Sequence, residues 1–163
     1  MTPRLKATKP LNILVLCTGN SARSILLESL FNHRSKGRIN AYSAGSNPSG
    51  QVQPNALKLL KSKGHDITAA RSKSWDEFSG SGADKMDIVI TVCGNAAAET
   101  CPIWPDSPLK CHWGVDDPAG LDMTAFQVAY DILGRRADRL LALDFENMDA
   151  AKLKPLLDQI GTQ

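Results

Sequence analysis

The chain has 163 residues, a formal net charge of +2 and 42% hydrophobic residues. This length suits one domain, and the ordinary composition excludes a chain that is disordered throughout. The apolar runs are too short to cross a bilayer, and the weak net charge gives no reason to expect a nucleic-acid partner. Residues 1–10 carry basic groups without the apolar stretch that completes a signal peptide, so we expect a cytoplasmic protein that binds neither membrane nor nucleic acid.

Apolar runs and amphipathic stretches alternate along the chain. Short runs that are apolar throughout indicate strands buried on both faces, and apolar residues at helical spacing indicate amphipathic helices. The sequence predicts strands at 11–16, 38–44, 87–92 and 112–115, and helices near 25–34, 54–63, 123–144 and 150–160. The segment 93–110 carries several prolines and is expected to be mostly irregular. This order predicts an α/β fold with a parallel sheet covered by helices on both faces.

Two cysteines, Cys17 and Cys93, directly follow predicted strands. We therefore expect both at the carboxyl edge of the parallel sheet, where ligands bind. The first, Cys17, opens a Cys-x5-Arg pattern that ends at Arg23 and leads into the first helix. Backbone N–H groups in such a turn converge on one point, and Arg23 adds a forked cation suited to a tetrahedral oxyanion. The positive potential of these N–H groups and of Arg23 also favours the thiolate form of Cys17. This thiolate would be a nucleophile and could accept a hydrogen bond from Ser24. The residues expected to form this oxyanion cradle are Thr18, Gly19, Asn20, Ser21, Ala22, Arg23 and Ser24.

A second polar group, Asp116-Asp117-Pro118, precedes the long helix predicted at 123–144. A carboxylic acid held over the cradle would protonate a leaving oxygen. Asp117 is the preferred candidate because Pro118 fixes the chain after it, and Asp116 stays as the alternative. A turn or helix-capping aspartate is the common use of an Asp-Pro pair, so the acid role depends on the cradle being nearby.

Four cysteines are too few for a disulfide scaffold in a chain of this length, so we expect reactive, metal-binding or buried thiols. Cys93 and Cys101 are separated by seven residues and meet only if the segment between them unwinds or loops. A resolving cysteine needs such mobility, because it must reach one thiol and then be reached itself. Two unrelated structural cysteines are the alternative. A zinc site of Cys101, Cys111 and His112 is disfavoured because the sequence lacks a closely spaced cysteine pair.

Together these motifs resemble the arsenate reductases built on the low-molecular-weight protein tyrosine phosphatase fold. The segments that carry the resemblance are 17–24 (Cys-Thr-Gly-Asn-Ser-Ala-Arg-Ser), 91–93 (Thr-Val-Cys), 101–102 (Cys-Pro) and 112–120 (His-Trp-Gly-Val-Asp-Asp-Pro-Ala-Gly). The resemblance implies a four-stranded parallel sheet flanked by helices on both faces. It extends over a single domain at residues 11–163, which a flexible extension at 1–10 precedes, and we expect a monomer.

The resemblance also implies an activity. Cys17 would attack arsenate held by the cradle and Arg23, while Asp117 protonates a departing oxygen. Cys93 would then attack Cys17 and release arsenite, and Cys101 would attack Cys93, although the spacer between these two cysteines is longer than in many members. Thioredoxin or a glutaredoxin/glutathione system would reduce the final disulfide, with no bound cofactor. The implied role is arsenic detoxification.

This sequence departs from the family in the surroundings of the cradle. Some members carry a second cysteine in the first loop, where this chain has Ala22. Some members bind potassium beside the cradle with carboxylate and polar side chains. Asn20, Glu28 and Ser43 are similar to that set, but Lys73 stands where an acidic ligand would be expected. We therefore expect no bound metal, with the Lys73 ammonium replacing the ion electrostatically.

Two other functions stay open. A low-molecular-weight protein tyrosine phosphatase would use Cys17, Arg23 and Asp117 without the other cysteines. Such enzymes usually carry aromatic residues after the Asp-Pro pair, where this chain has Ala119-Gly120. An oxyanion-binding or redox-sensing module would use the same cradle without turnover. Weak phosphatase activity is expected even of a reductase, because phosphate and arsenate share shape and charge.

Overall fold

The computed structural model describes residues 10–80, 83–93 and 108–163. Within these ranges a parallel sheet has the strand order β2-β1-β3-β4. Its strands are β1 (Leu11–Leu16), β2 (Ile39–Ala44), β3 (Ile88–Thr91) and β4 (Leu109–His112). The described α-helices are α1 (Arg23–Arg34), α2 (Pro54–Ser62), α3 (Met123–Leu141) and α4 (Ala150–Ile160). Two short 3-10 helices, Trp75–Phe78 and Phe145–Asn147, are not indicated by the sequence pattern.

The predicted fold class, a four-stranded parallel sheet with helices, is confirmed. Successive side chains of a strand point to opposite faces, so the apolar run of β1 supplies two cores. Ile13 and Val15 belong to the larger core, which the four described α-helices share. Leu14 and Leu16 belong to the smaller core, against which side chains of the 3-10 helix Trp75–Phe78 pack. The central strand β1 is thus covered on both faces, which explains why the sequence predicts its bounds so well.

The fourth strand begins earlier than the sequence predicts, at Leu109–His112 instead of 112–115. It is an edge strand in which a single residue is buried, so its apolar pattern is weak. Backbone pairing with the end of β3 continues beyond it. The N–H of Trp113 bonds to the Thr91 carbonyl at 2.7 Å, and the N–H of Val115 bonds to the Val92 carbonyl at 3.1 Å. The segment after β4 is thereby held at the carboxyl edge of the sheet.

Some expectations fall outside the described residues: the extension at 1–10 apart from Pro10, and most of the irregular segment 93–110, with Cys101 in it. In α4, Pro155 is the sixth residue and lies inside the helix, beyond the first turn. Among the helices of the described ranges, none combines the length and the apolar character needed to span a bilayer.

Candidate active site

The cradle expected after the first strand lies between β1 and α1. The N–H of Cys17 bonds to the Ala44 carbonyl at 3.2 Å and so extends the pairing of β1 with β2. Asn20 has a φ of +46°, in the left-handed region, which turns the chain sharply before α1 begins at Arg23. The unpaired N–H groups and the positive dipole end of α1 therefore lie at this turn.

The loop before α2 and Ser72, which follows α2, brace the cradle through its carbonyl groups. The four bonds are Asn47 N–H to Thr18 (3.0 Å), Ser49 N–H to Gly19 (3.0 Å), Gln53 N–H to Ser21 (2.8 Å) and Ser72 Oγ to Gly19 (3.0 Å). The C=O and N–H groups of a trans peptide point in opposite directions. The N–H groups that follow these carbonyls consequently face the inner side of the turn, as an oxyanion site requires.

Gly45 allows the two loops to approach each other closely. A Cβ atom at this position would overlap the main-chain carbonyls of Cys17 and Thr18. The N–H of Gly45 also bonds to the Lys73 carbonyl at 2.9 Å, which fixes the glycine in place. The sequence analysis treats residue 45 as part of a loop and does not predict that two loops come close at this position. A glycine directly after a strand is the feature that could have indicated it, because backbones often approach each other closely at such a glycine.

Arg23 connects the cradle to the candidate acid. Its side chain is 13% exposed, and Nη2 lies 3.4 Å from Oδ2 of Asp117. Its Nη1 donates to the Val115 carbonyl at 3.0 Å. Its Nε is buried and has no hydrogen-bond partner among the described residues. A buried N–H group without a partner is costly, and an oxyanion in the cradle would remove that cost.

Of the two candidate acids, Asp117 is the one beside Arg23. Its Oδ1 accepts a hydrogen bond from the N–H of Ala119 at 3.0 Å, and its Oδ2 is the oxygen that faces the guanidinium. The Asp117 side chain is 54% exposed. The structure therefore brings Asp117 next to the cradle through Arg23.

The thiols of Cys17 and Cys93 meet at the carboxyl edge of the sheet. Both residues are buried, and their side chains are in hydrogen-bond contact. This contact and burial raise the pKa of Cys17, against the Arg23 charge and the Gly19 N–H, which lower it. The contact with Cys93 therefore opposes the effect that the cradle has on Cys17, and the first proton lost belongs to the pair of thiols and not to Cys17 alone.

The sulfur of Cys93 also receives donors from the cradle. The N–H of Thr18 donates to it over 3.3 Å, and Thr18 Oγ1 lies 3.6 Å away.

Cys111 lies on β4, where burial raises the pKa of its thiol to about 12, so it is a poor nucleophile. In the part of the chain that the structure describes, no three His, Cys, Asp or Glu side chains are placed to hold a metal. The zinc alternative involves Cys101, which is outside that part.

The residues of the candidate cation site converge beside the cradle. Asn20 Nδ2 donates to Ser24 Oγ at 2.8 Å and to Ser43 Oγ at 3.0 Å, and Ser43 Oγ donates to Glu28. The ammonium of Lys73 lies 3.4 Å from Ser43 Oγ and 3.9 Å from Glu28 Oε1. Burial raises the pKa of Glu28 and lowers that of Lys73, and each group's charge opposes the shift of the other.

A cradle between strand and helix, with a cysteine, an arginine and an aspartate, is typical of one phosphatase family. The chain belongs to the low molecular weight phosphotyrosine protein phosphatase family, whose sequence profile matches residues 12–153. Within that family, it is 40% identical to arsenate reductase 1 of Bacillus cereus over 124 residues, which are 76% of this chain and 89% of that protein.

Solved structures agree with this relationship. The crystal structure of an arsenate reductase from Archaeoglobus fulgidus is similar with a TM-score of 0.66 and 27% identity, covering 80% of this chain and 99% of that one. An arsenate reductase in its phosphate-binding state gives a TM-score of 0.70 and 27% identity, covering 81% of this chain and 97% of that one. The resemblance drawn from the sequence motifs is confirmed.

Proposed function

We propose that this chain is an arsenate reductase, which reduces arsenate to arsenite through an adduct on Cys17. The observation that carries the proposal is the second thiol. Cys93 contacts Cys17 beside an oxyanion cradle that includes Arg23 and faces Asp117. Hydrolysis of a phosphate ester needs no second thiol, whereas reduction of an oxyanion by two electrons needs two thiols that end as a disulfide. The similarity to the Bacillus cereus arsenate reductase supports the same choice.

In the first step, the Cys17 thiolate attacks the arsenic atom of arsenate bound by the cradle. An S–As bond forms, and a hydroxyl group of the arsenate takes a proton from Asp117 and leaves as water. The N–H groups of the cradle and Arg23 stabilise the charge on the remaining oxygens. The buried Arg23 Nε supports this assignment, since it is a donor in need of an acceptor. Arsenic remains As(V) throughout this step.

In the second step, the Cys93 thiolate attacks the sulfur of Cys17. A Cys17–Cys93 disulfide forms, the S–As bond breaks, and its electron pair stays on arsenic, which leaves as As(III) in arsenite. The contact between the two thiols supports this step, because attack on sulfur requires a thiolate within reach. The N–H of Thr18 supports it further, since a donor to the Cys93 sulfur favours the thiolate form.

A third step regenerates the enzyme. Cys101 attacks Cys93, which frees Cys17 and leaves a Cys93–Cys101 disulfide. Thioredoxin or a glutaredoxin/glutathione system then supplies two electrons and reduces that disulfide. Cys101 lies outside the described residues, so the support for this step is the resemblance of its motif. The biological role that fits this chemistry is arsenic detoxification.

In this proposal, Lys73 supplies the positive charge that a potassium ion supplies in some members of the family. Its ammonium lies within reach of Ser43 and Glu28, and its backbone N–H donates to Asn20 Oδ1 at 2.9 Å. The cluster thereby holds Asn20 in the left-handed conformation on which the cradle depends. No metal or prosthetic group takes part in the proposed reaction.

A low-molecular-weight tyrosine phosphatase is the second candidate, because Cys17, Arg23 and Asp117 also suit phosphoryl transfer. The residues that follow Pro118 argue against it. Ala119 and Gly120 provide no aromatic side chain to hold the phenyl ring of a phosphotyrosine. An oxyanion or redox sensor is a third possibility that would use the cradle without turnover.

The decisive experiment measures arsenite released by fully reduced protein after all external thiol has been removed. We expect about one equivalent per chain, and continued release once thioredoxin, its reductase and NADPH are added. Cys17→Ser protein is the matched control and should release none. A phosphatase would hydrolyse p-nitrophenyl phosphate without releasing arsenite, and a sensor would do neither. Folded, reduced protein that releases no arsenite would overturn the proposal.

A further inference from the structure

Arg136 is a buried cation on α3 that is held by main-chain carbonyls. It is 7% exposed, and its Nη1 donates to the carbonyls of Trp113 at 2.9 Å and Gly114 at 3.1 Å. Its Nε donates to the main-chain oxygen of Gln163 at 3.0 Å. None of the ion pairs in the described part of the chain includes Arg136. Burying a guanidinium is costly, and the hydrogen bonds to Trp113 and Gly114 offset part of that cost. They also fix the backbone after β4.

The segment that Arg136 holds leads directly to the candidate acid. The carbonyl of Val115 follows those of Trp113 and Gly114, and it accepts a hydrogen bond from Arg23. Two arginines therefore hold three consecutive carbonyls immediately before Asp116 and Asp117. This arrangement fixes the path of the chain into the acid loop, which we define as residues 116–120.

The two arginines respond differently to a bound oxyanion. Arg23 lines the cradle, so an oxyanion competes with Val115 and Asp117 for its donors. Arg136 belongs to α3, and its donors are bound to carbonyls outside the cradle. Its hold on the chain before the acid loop is therefore independent of the anion.

The surroundings of Trp113 also restrict the movement of the segment that Arg136 holds. The indole is fully buried, and its Nε1 donates to the Leu157 carbonyl at 3.0 Å. A Cβ on Gly161 would lie 2.7 Å from Cδ1 of Trp113, so the chain after α4 packs directly on the ring. Side chain and backbone of residue 113 are thus fixed by two different helices, α3 and α4.

We propose that Arg136 is a positioning residue that keeps Asp117 over the cradle while an oxyanion occupies Arg23. It acts through the backbone of residues 113–115 and does not touch the substrate. The catalytic consequence rests on the proposed function, in which Asp117 is the acid. The hold on the acid loop does not depend on which reaction the site performs.

The test compares Arg136→Lys and Arg136→Gln with Arg135→Gln, an exposed neighbour on the same helix. The first readout is single-turnover arsenite release at saturating arsenate, from about pH 5.5 to 8.5. We expect Arg136→Gln to lower the rate by about tenfold or more across this pH range. Arg136→Lys should recover part of the rate, because it keeps a cation and one donor. Arg135→Gln should match the wild type.

Combining each Arg136 variant with Asp117→Asn distinguishes an effect that acts through Asp117 from a general effect on the structure. If Arg136 acts through Asp117, its substitution has little further effect once the acid is gone. Protection of Cys17 by phosphate against iodoacetamide should stay within about twofold of the wild type in Arg136→Gln, since the cradle is intact. An equal rate loss with and without Asp117, or no loss at all, would overturn the proposal. If Arg136→Gln does not fold, Arg136→Lys carries the same comparison.

The second readout separates failure of this inference from failure of the proposed function. Hydrogen exchange of residues 114–120 in the presence of phosphate should be faster in Arg136→Gln than in the wild type and unchanged in Arg135→Gln. If the wild type releases no arsenite, the proposed function fails and this exchange comparison alone decides the role of Arg136. Unchanged exchange at 114–120 in the folded variant overturns the inference whatever the wild type reduces.

Discussion

The backbone N–H of Thr18 donates a hydrogen bond to the sulfur of Cys93 over 3.3 Å. Thr18 directly follows Cys17, so one short turn presents the first thiol and holds the second. The contact exists because β1 and β3 are neighbouring parallel strands whose carboxyl ends meet at one edge. Each thiol consequently titrates in the presence of the other.

Removing the second thiol should lower the pKa of the first. The hydrogen bond with Cys93 is the largest cause that raises the pKa of Cys17, and Cys93→Ala leaves the Arg23 charge and the Gly19 N–H in place. We expect the pKa of Cys17 to fall, so that alkylation begins at a lower pH than in the wild type. The measurement is the pH dependence of Cys17 alkylation by iodoacetamide, followed by peptide mass spectrometry. Cys111→Ala is the control. An equal shift of the Cys17 pKa in both variants would contradict the claim that contact with Cys93 raises it.

Gly45→Ala should damage the cradle more than it damages the fold. The added methyl group must displace the carbonyls of Cys17 and Thr18, which we expect to cost about 1–3 kcal/mol of unfolding free energy. Because those carbonyls belong to the cradle, phosphate should no longer protect Cys17 from alkylation. Gly80→Ala is the matched control, since a Cβ there meets no atom within 4 Å. If phosphate protects Cys17 in Gly45→Ala as well as it does in the wild type, the loops tolerate the methyl group.

The sequence predicts the centre of the molecule better than its edges. The bounds of β1 follow from a run that is apolar on both faces and is closed by a polar turn. The edge strand β4 has one buried residue, so its pattern carries little information and its predicted range is shifted. The conserved geometry of parallel strand ends likewise explains why Cys17 and Cys93 are correctly expected at one edge.

Other parts of the site depend on relations that no local pattern contains. The raised pKa of Cys17 results from a contact between residues 76 positions apart in the sequence. The role of Gly45 depends on how closely a second loop approaches the first. The bonds of Arg136 join α3 to the chain before the acid loop. Such long-range packing is decided by the whole fold and leaves no short motif.

The Lys73 ammonium should make the protein indifferent to potassium. We expect the Tm and activity to respond equally to potassium and sodium chloride, because the ammonium already lies near Ser43 and Glu28. Lys73→Asp replaces the cation with a carboxylate among oxygen ligands and should introduce a potassium-specific rise in Tm. Lys61→Asp, at an exposed position of α2, is the control for added negative charge. A potassium-specific response of the wild type would show that the ion site survives beside Lys73.

A buried histidine gives the stability a defined pH dependence. His65 Nδ1 lies 2.7 Å from Ser29 Oγ, and its Nε2 lies 2.9 Å from the Tyr130 hydroxyl. Its ring stacks on that of His33 with 4.1 Å between the centroids. Burial, followed by the His33 and Arg34 charges, lowers the pKa of His65 from 6.5 to about 4.

The unfolded chain therefore binds a proton at His65 more readily than the folded chain does. The contribution of His65 to stability is complete above pH 6.5 and is lost progressively as the pH falls from 6.5 towards 4. Between about pH 7.5 and 5, this loss amounts to about 2 kcal/mol. Urea unfolding at both pH values should show a smaller difference for His65→Gln, whereas the exposed control Lys58→Gln keeps the wild-type difference. Equal pH dependence in His65→Gln and wild type would refute this assignment.

The thiol relay should fail at a different stage in each cysteine variant, because every step is attack of a thiolate on sulfur or arsenic. Cys93→Ser should retain phosphate protection of Cys17 but release no arsenite. Cys101→Ser should release about one equivalent and then stop as a Cys17–Cys93 disulfide, which peptide mapping detects. Cys111→Ala should turn over like the wild type with thioredoxin. Normal turnover of Cys101→Ser would instead mean that the external thiol reduces the first disulfide directly.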